Sequence, residues 1–227
     1  MDTHGRIIFV PTPIGNLADI TLRGLEILRE ADRIACEDTR HSATLLSHHS
    51  ISGKPLISLH DHNEARRAPE LIAAAQQGET IAVITDAGMP GISDPGYRLI
   101  QGCIETQTPF EVLPGPSAVI TALIGSGFPC HAFHFGGFLS VKSGKRRSAL
   151  QAALETGETA IFFESPHRIL STLEILNDID PSSRVCVARE LTKKFETYHR
   201  GTAQEVLSHF QTHAAKGEIV LLVHSAS

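Results

Sequence analysis

Residues 80–96 decide the fold of this chain and read Thr80-Ile81-Ala82-Val83-Ile84-Thr85-Asp86-Ala87-Gly88-Met89-Pro90-Gly91-Ile92-Ser93-Asp94-Pro95-Gly96. The first five residues predict a buried strand, and Tyr97 begins a predicted helix. Between them lies a long loop rich in glycine, proline and aspartate. Open α/β proteins bind ligands at the carboxyl ends of their strands, so the loop predicts a ligand site. A stiff connecting turn is the alternative.

The first half of the chain alternates short apolar runs with helical patterns. Thr21 is a plausible N-cap for the first helix, and Asn63 for the third. Five strands are predicted, at Ile7–Val10, Arg33–Cys36, Pro55–Leu59, Thr80–Thr85 and Phe110–Leu113. Repeated strand–helix alternation predicts a mainly parallel sheet that is covered on both faces.

The second half has a different pattern, in which some strands follow each other closely. Pro116–Leu123 predicts a helix with proline in its first turn. Five strands are predicted, at Phe133–Leu139, Ala160–Phe163, Val185–Ala188, Glu196–His199 and Ile219–Val223. The close spacing predicts a mixed sheet. We therefore expect two small α/β domains, residues 1–115 and 116–227.

Composition restricts the classes of function. The 227 residues are 41% hydrophobic and carry a formal net charge of −5, which argues against an extensively basic, nucleic-acid-binding surface. Tryptophan is absent and only 5% of residues are aromatic, so a platform for stacking several bases is not expected. No apolar run reaches transmembrane length. The N-terminal residues 1–6 do not resemble a signal peptide, and four widely spaced cysteines predict free thiols. We expect a cytoplasmic protein.

The common phosphate-binding signatures are missing, which disfavours a standard dinucleotide or P-loop site. Instead, the first, fourth and fifth strands run into loops stiffened by glycine and proline, at residues 10–17, 85–96 and 113–117. We expect these loops to converge on one small-ligand site. Ser117 lacks the second glycine of a nucleophile elbow, so helix capping is favoured over a nucleophilic role.

Two polar segments follow the second and third strands. His60-Asp61-His62-Asn63-Glu64 has the residue types of a metal site, but no second ligand pair supports one. A polar wall of the ligand site, or a helix cap by Asn63, is favoured. Glu37-Asp38-Thr39-Arg40 either lines the site or caps the next helix.

Three charged segments occur in the second half. Lys142-Ser143-Gly144-Lys145-Arg146-Arg147 is the one dense basic run, and it is either a solvated helix start or a phosphate contact. Glu164-Ser165-Pro166-His167-Arg168 ends one strand, and Arg189–Glu196 connects two others. Both are surface turns or parts of the ligand site.

Taken in order, these motifs resemble a known family. The chain resembles the ribosomal RNA small subunit methyltransferase I family of the tetrapyrrole methylase superfamily. The motifs that carry the resemblance are 10–17, 37–40, 60–64, 85–96, 113–117, 163–168 and 189–193. It implies two α/β domains with S-adenosylmethionine in a cleft between them, a homodimer, and 2′-O-methylation of a cytidine in the decoding region of 16S rRNA. Family members usually continue into a small helical extension beyond the position of Ser227.

The resemblance also implies a set of cofactor-binding residues, which are Pro13, Asp86, Ala87, Gly88, Asp94, Ser117 and Ala118. A ribose hydroxyl is weakly acidic, so we expect an acceptor for its proton. The candidates are Glu37, Asp38, Asp61, Glu64, Glu190 and, if its pKa is lowered, Lys193. The predicted RNA contacts are Arg40, Lys145, Arg146, Arg147 and Arg168. No metal is required, because the sulfonium methyl already has an activated leaving group.

Three other functions remain open. A tetrapyrrole methyltransferase of the same superfamily agrees with the acidic net charge. A non-catalytic RNA-binding or ribosome-assembly factor would bind RNA without the cofactor. A metallohydrolase built on His60 and His62 would contain bound metal.

Overall fold

The computed structural model describes residues 5–226, so the N-terminal residues 1–4 lie outside it. The chain forms two compact units, one ending at Ser117 and the other beginning at Ala118. The boundary predicted from sequence, after residue 115, lies close to this point. Both units combine strands and helices, and the first sheet is parallel while the second is mixed. The predicted fold class is confirmed.

The first unit contains a five-stranded parallel sheet in the order β3-β2-β4-β1-β5. Its strands are β1 (Ile7–Phe9), β2 (Arg33–Cys36), β3 (Leu56–Ser58), β4 (Ile81–Ile84) and β5 (Phe110–Val112). Its helices are α1 (Leu22–Glu30), α2 (Thr39–His48), α3 (Glu64–Gln76) and α4 (Tyr97–Thr106). All five carboxyl ends therefore meet at one edge of the sheet.

The sheet is covered on both faces, which explains its continuous apolar strands. Ile8 packs on one face in a cluster with Leu28 of α1 and Leu46 of α2. Ile7 and Phe9 face the other side, in a cluster that includes side chains of α3 and α4. Because successive strand residues point to opposite faces, every residue of β1 is buried.

The second unit contains a mixed sheet in the order β6-β7-β10-β8-β9, in which only β6 and β7 pair in parallel. Its strands are β6 (Phe133–Phe138), β7 (Thr159–Glu164), β8 (Arg184–Arg189), β9 (Thr197–Thr202) and β10 (Ile219–His224). Its helices are α5 (Ala118–Ser126), α6 (Ser143–Glu155), α7 (Ile169–Ile179) and α8 (Ala203–Thr212).

The core of the second unit lies between the sheet and α6, α7 and α8. Leu150, Leu173 and Phe210 from these helices pack with Val187 and Leu221 of the sheet. A capping box between Thr202 and Glu205 begins α8. The four cysteines are free thiols, as predicted. Within residues 5–226, no helix combines the length and the apolar character needed to span a bilayer.

Candidate functional site

Two of the three predicted ligand loops pair directly at the carboxyl edge of the first sheet. The Thr12 N–H donates to the Gly88 carbonyl at 2.9 Å, and the Gly88 N–H donates to the Thr12 carbonyl at 3.0 Å. The Thr12 hydroxyl donates to the Thr85 carbonyl at 2.9 Å. These three hydrogen bonds fix the loop after β1 to the loop after β4.

The third loop packs against the same pair. A Cβ on Gly115 would lie 2.7 Å from the Pro11 Cβ, and a Cβ on Gly88 would lie 3.9 Å from the Pro116 carbonyl oxygen. Gly88 has φ +82°, a conformation that side chains rarely adopt. The loops after β1, β4 and β5 therefore do come together in the first unit.

The predicted cofactor residues are distributed over these loops and the unit boundary. Pro13 is buried beside Thr12, whereas Ala87 is exposed beside Gly88. Asp86 and Asp94 are half-buried at the two ends of the loop after β4. Ser117 is the last residue of the first unit, and Ala118 begins α5 in the second.

An acidic cluster, formed by Glu37, Asp61, Asp86 and Asp94, lies at the ends of β2, β3 and β4. The Asp38 N–H donates to Asp86 Oδ1 at 3.2 Å, and the Asp86 N–H donates to Glu37 Oε2 at 3.4 Å. Burial raises the pKa of Asp94 to about 7, with the charges of Glu37, Asp86 and Asp61 adding to the effect. Burial also raises the pKa of Glu37. Asp94 can therefore hold or accept a proton near neutral pH.

Asp38 has a structural role beside this cluster. Its Oδ1 accepts from the Arg40 N–H at 2.8 Å and caps α2, while its Oδ2 lies 2.7 Å from Arg40 Nη2. These hydrogen bonds hold the pKa of Asp38 well below its usual range. Such a carboxylate is a weak base, which disfavours Asp38 as the proton acceptor. The ion pair with Asp38 also orients the exposed Arg40 side chain.

The His60–Glu64 segment forms the turn between β3 and α3. The His60 N–H donates to Asn63 Oδ1 at 2.9 Å, and Asn63 Nδ2 donates to the Ser58 carbonyl at 3.1 Å. Glu64 is only 4% exposed, and its Oε1 accepts from the N–H groups of Gly96 and Leu99. Glu64 therefore caps α4. Among residues 5–226, no group of three or more His, Cys, Asp or Glu side chains could hold a metal ion.

The candidate bases of the second unit pair with each other. Lys193 Nζ lies 3.1 Å from Glu190 Oε1 and 2.8 Å from Glu218 Oε2. Burial alone would lower the pKa of Lys193, but the hydrogen bonds and charges of Glu218 and Glu190 outweigh it and raise the pKa. The Glu218 N–H and Lys193 lower the pKa of Glu190. The lowered pKa that a basic Lys193 requires is therefore not found.

The predicted RNA contacts of the second unit differ in accessibility. Lys145 is exposed on α6, and Arg147 pairs with Asp178 at 2.8 Å. Arg168 pairs with the buried Glu164 at 2.7 Å. Arg146 is a correction to the sequence interpretation, because it is only 5% exposed and donates to Ser171 Oγ at 3.2 Å. Its guanidinium packs inside the unit rather than at its surface, which disfavours it as a phosphate contact.

Comparisons with known proteins identify the family. The sequence profile of the tetrapyrrole (corrin/porphyrin) methylases matches residues 6–207. The chain belongs to this family. It is 48% identical over 225 residues to the ribosomal RNA small subunit methyltransferase I of Escherichia coli O157:H7, covering 98% of this chain and 78% of that one.

A second relative and a solved structure extend the comparison. The chain is 47% identical over 219 residues to the protein of the same name from Hydrogenobaculum sp. (strain Y04AAS1), covering 96% of this chain and 95% of that one. The crystal structure of a diphthine synthase superposes with a TM-score of 0.74 at 15% identity, covering 97% of this chain and 90% of that one. At that identity the likeness concerns the fold alone.

In this member of the family, two threonines lie at the ligand loops although no sequence motif singles them out. Thr12 links two loops, and Thr85 is 2% exposed with its hydroxyl unpartnered among the described residues. Thr85 directly follows the buried strand β4, so its position at the edge could have been inferred. The role of Thr12 depends on a contact 73 residues away, which no local pattern encodes.

Proposed function

We propose that this chain transfers the methyl group of S-adenosylmethionine to the 2′-oxygen of a cytidine ribose in the decoding region of 16S rRNA. The observation that carries the proposal is the near-full-length similarity, at 47–48% identity, to two proteins named ribosomal RNA small subunit methyltransferase I. The three converging loops of the first unit support it, because they provide a preformed ligand site of the kind that a methyl donor needs.

The residues of these loops fit S-adenosylmethionine chemically. The carboxylates of Asp86 and Asp94 suit its ammonium and hydroxyl groups. Gly88 has no side chain, so its backbone is approachable, and the unpartnered Thr85 hydroxyl beside it is a further polar group. We propose that the ligand is held by Pro13, Asp86, Ala87, Gly88 and Asp94, with Ser117 and Ala118 completing the site.

The protein's main contribution to the reaction is alignment. When bound, S-adenosylmethionine supplies a methyl group on a positively charged sulfur. The sulfur is the leaving group and becomes a neutral thioether. Holding the ribose oxygen in line with that methyl group is worth about 7–11 kcal/mol. The oxygen–carbon bond forms as the carbon–sulfur bond breaks, and the 2′-hydroxyl proton passes to an acceptor.

We propose Glu37 as that acceptor, with Asp61 as the alternative. The pKa of Glu37 is raised by burial and by Asp86 and Asp61, which brings it closer to the range that general bases use. Asp38 and Glu190 have lowered pKa values, Lys193 has a raised one, and Glu64 is committed to capping α4. The contacts of these four residues support structural roles.

We propose that the RNA backbone contacts a limited set of cations rather than a broad basic surface, since the formal net charge is −5. Arg40, Lys145, Arg147 and Arg168 are the candidates, and the burial of Arg146 removes it from this set. We further propose that the chain acts as a homodimer, as the family resemblance implies, and in the cytoplasm, which its free cysteines support.

The test is methyl transfer from labelled S-adenosylmethionine to 30S subunits from a strain that lacks the modification. We expect label on one cytidine ribose of 16S rRNA, and its loss in Glu37→Gln but not in the matched control Glu174→Gln, whose side chain is exposed on α7. Label on a base, or tight S-adenosylmethionine binding with no labelled rRNA, would contradict the proposal. The latter result would favour a tetrapyrrole substrate, in agreement with the family's description.

A further inference from the structure

We infer that Glu64 is a positioning residue, whose buried carboxylate holds the loop of residues 85–96 in the shape that the cofactor site needs. This inference rests on the proposed function and deepens it. From the sequence, Glu64 is one of the candidate acceptors for the ribose proton. The contacts of Glu64 instead indicate that it supports the start of α4.

Glu64 contacts two backbone amides at the start of α4. Its Oε1 accepts from the Gly96 N–H at 2.9 Å and from the Leu99 N–H at 3.2 Å. These are the N-cap residue and the third residue of α4, and such amides have no partner within the helix. A carboxylate there also interacts favourably with the helix dipole. The cap of α4 thus comes from a different helix.

Helix α4 cannot cap its own N-terminus. Its N-cap residue is Gly96, which has φ +138° and no side chain to accept a hydrogen bond. A Cβ at Gly96 would lie 3.1 Å from the Gly91 nitrogen, and the Gly91 N–H donates to the Pro95 carbonyl at 3.1 Å. The loop closes on itself here, so only glycine suits the position. Glu64 supplies the acceptor that glycine lacks.

Glu64 itself is held firmly by the turn after β3 and by the buried face of α3. The preceding residue, Asn63, bonds to the His60 N–H and to the Ser58 carbonyl, which fixes the turn after β3. The face of α3 that carries Glu64 is buried, with Ala68 and Leu71 packed against the sheet. A fixed support can impose a position on the loop, whereas a mobile side chain could not.

Asp94 lies two residues before Gly96 in the same closed turn, so the Glu64 cap also fixes the position of Asp94. Asp94 belongs to the acidic cluster and to the proposed cofactor residues. Without the Glu64 cap, the end of the loop would gain freedom that must be lost again when the ligand binds. Ordering a loop on binding weakens affinity, so Glu64 acts on the cofactor through Gly96 without contacting it.

The experiment compares Glu64→Ala, Glu64→Gln and the matched control Glu70→Gln in the full chain. Glu70 is on the same helix, but its side chain is 48% exposed and pairs with Arg66 and Arg67. Calorimetry measures the Kd for S-adenosylhomocysteine, and steady-state assays with 30S subunits give separate KM values. We expect Kd to rise about tenfold in Glu64→Ala and about threefold in Glu64→Gln, whose amide oxygen accepts without charge. Glu70→Gln should equal wild type.

A purely structural role of Glu64 would lower the melting temperature without this graded rise in the Kd for S-adenosylhomocysteine. We expect the KM for S-adenosylmethionine to rise while the KM for 30S subunits stays unchanged, with partial rescue by glutamine. A folded variant at position 64 that binds with wild-type Kd would overturn the inference. Wild-type protein that does not bind S-adenosylhomocysteine would instead overturn the proposed function.

A measurement on wild type covers the case in which the variants do not fold. Amide hydrogen exchange, with and without S-adenosylhomocysteine, should show added protection at the N-terminus of α4, including Gly96 and Leu99. Protection confined to the loops after β1 and β5 would overturn the inference, because the Glu64-capped turn would then not respond to the ligand.

Discussion

The carboxyl edge of the first sheet and the charged corners of the second unit use the same residue types in opposite ways. In the first, Glu37, Asp86 and Asp94 lie near one another, and burial together with the charges of its acidic neighbours raises the pKa of Asp94 to about 7. In the second, Glu164 pairs with Arg168, and Glu190 pairs with Lys193. Carboxylates with raised pKa values at the sheet edge are candidates for the chemistry, whereas the paired carboxylates Glu164 and Glu190 support the structure of the second unit.

The largest expected effect tests the structural side of this comparison. Glu164 has a fully buried side chain that accepts from the Ser165 N–H and the Thr172 hydroxyl and pairs with Arg168. Glu164→Ala removes the carboxylate partner of Arg168 and the buried acceptor of the Ser165 N–H and the Thr172 hydroxyl, so we expect a loss of about 3–5 kcal/mol in the free energy of unfolding. Urea denaturation measures it, with the exposed Glu174→Ala as control. A loss similar to that of the control would mean that the buried pair is not structural.

The next effect tests the packing of the ligand loops. Gly115→Ala places a Cβ 2.7 Å from the Pro11 Cβ, so we expect a loss of about 1–3 kcal/mol in stability and a weaker Kd for S-adenosylhomocysteine. Gly144→Ala is the matched control, because a Cβ there meets nothing within 4 Å. Equal behaviour of the two variants in urea denaturation and calorimetry would refute the close approach of these loops.

A third effect is the pH dependence caused by Asp94. Its pKa is raised in the folded state to about 7, so the folded state binds the proton more tightly and loses stability as pH rises from about 4 to 7. Asp94→Asn should remove about 1–2 kcal/mol of this loss, after allowance for solvent screening.

Chemical denaturation at several pH values measures this effect, with Asp178→Asn, which lies on α7 in the second unit, as control. If wild type and Asp94→Asn lose stability in parallel between pH 4 and 7, the carboxyl group of Asp94 does not retain its proton.

The smallest effect lies in the second unit, where three imidazoles stack. The His199 and His209 ring centroids lie 4.2 Å apart, and those of His209 and His213 lie 4.6 Å apart. Burial lowers the pKa of His199, and the charges of His209, Arg189 and His213 lower it further. Stability from this group is complete above about pH 6.5 and is lost as pH falls below it.

His209→Gln should therefore make unfolding less sensitive to acid, by less than about 0.5 kcal/mol because solvent screens the site. Thermal unfolding at pH 5 and pH 7.5 measures the difference. Methyl transfer at pH 7.5 should be unchanged, since we place no catalytic group in this stack. A variant more sensitive to acid than wild type would contradict the assignment.

The strands and the ligand loops could be predicted from sequence because their signals are local. Continuous apolar runs such as Ile7–Phe9 indicate strands buried on both faces, and parallel topology then brings their carboxyl ends to one edge. The expectation that the whole basic run is exposed is wrong for Arg146, which is only 5% exposed. Arg146 and Leu150 share one buried face of α6, and this i, i+4 spacing is visible in the sequence.

Other features depend on distant contacts that no local pattern shows. Lys193 pairs with Glu218, 25 residues away, and this partner raises rather than lowers its pKa. Glu64 reaches Gly96 across 32 residues. Its position with Ala68 and Leu71 on one helical face indicates burial, but the sequence does not show which amides it caps.

The most direct test of the account is a crystal structure of the full chain with S-adenosylhomocysteine. We expect the ligand to contact the three loops that follow β1, β4 and β5, with Asp86 or Asp94 accepting hydrogen bonds from it and Glu64 still bonded to Gly96. A ligand bound only to residues of the second unit, with these loops untouched, would contradict the central claim.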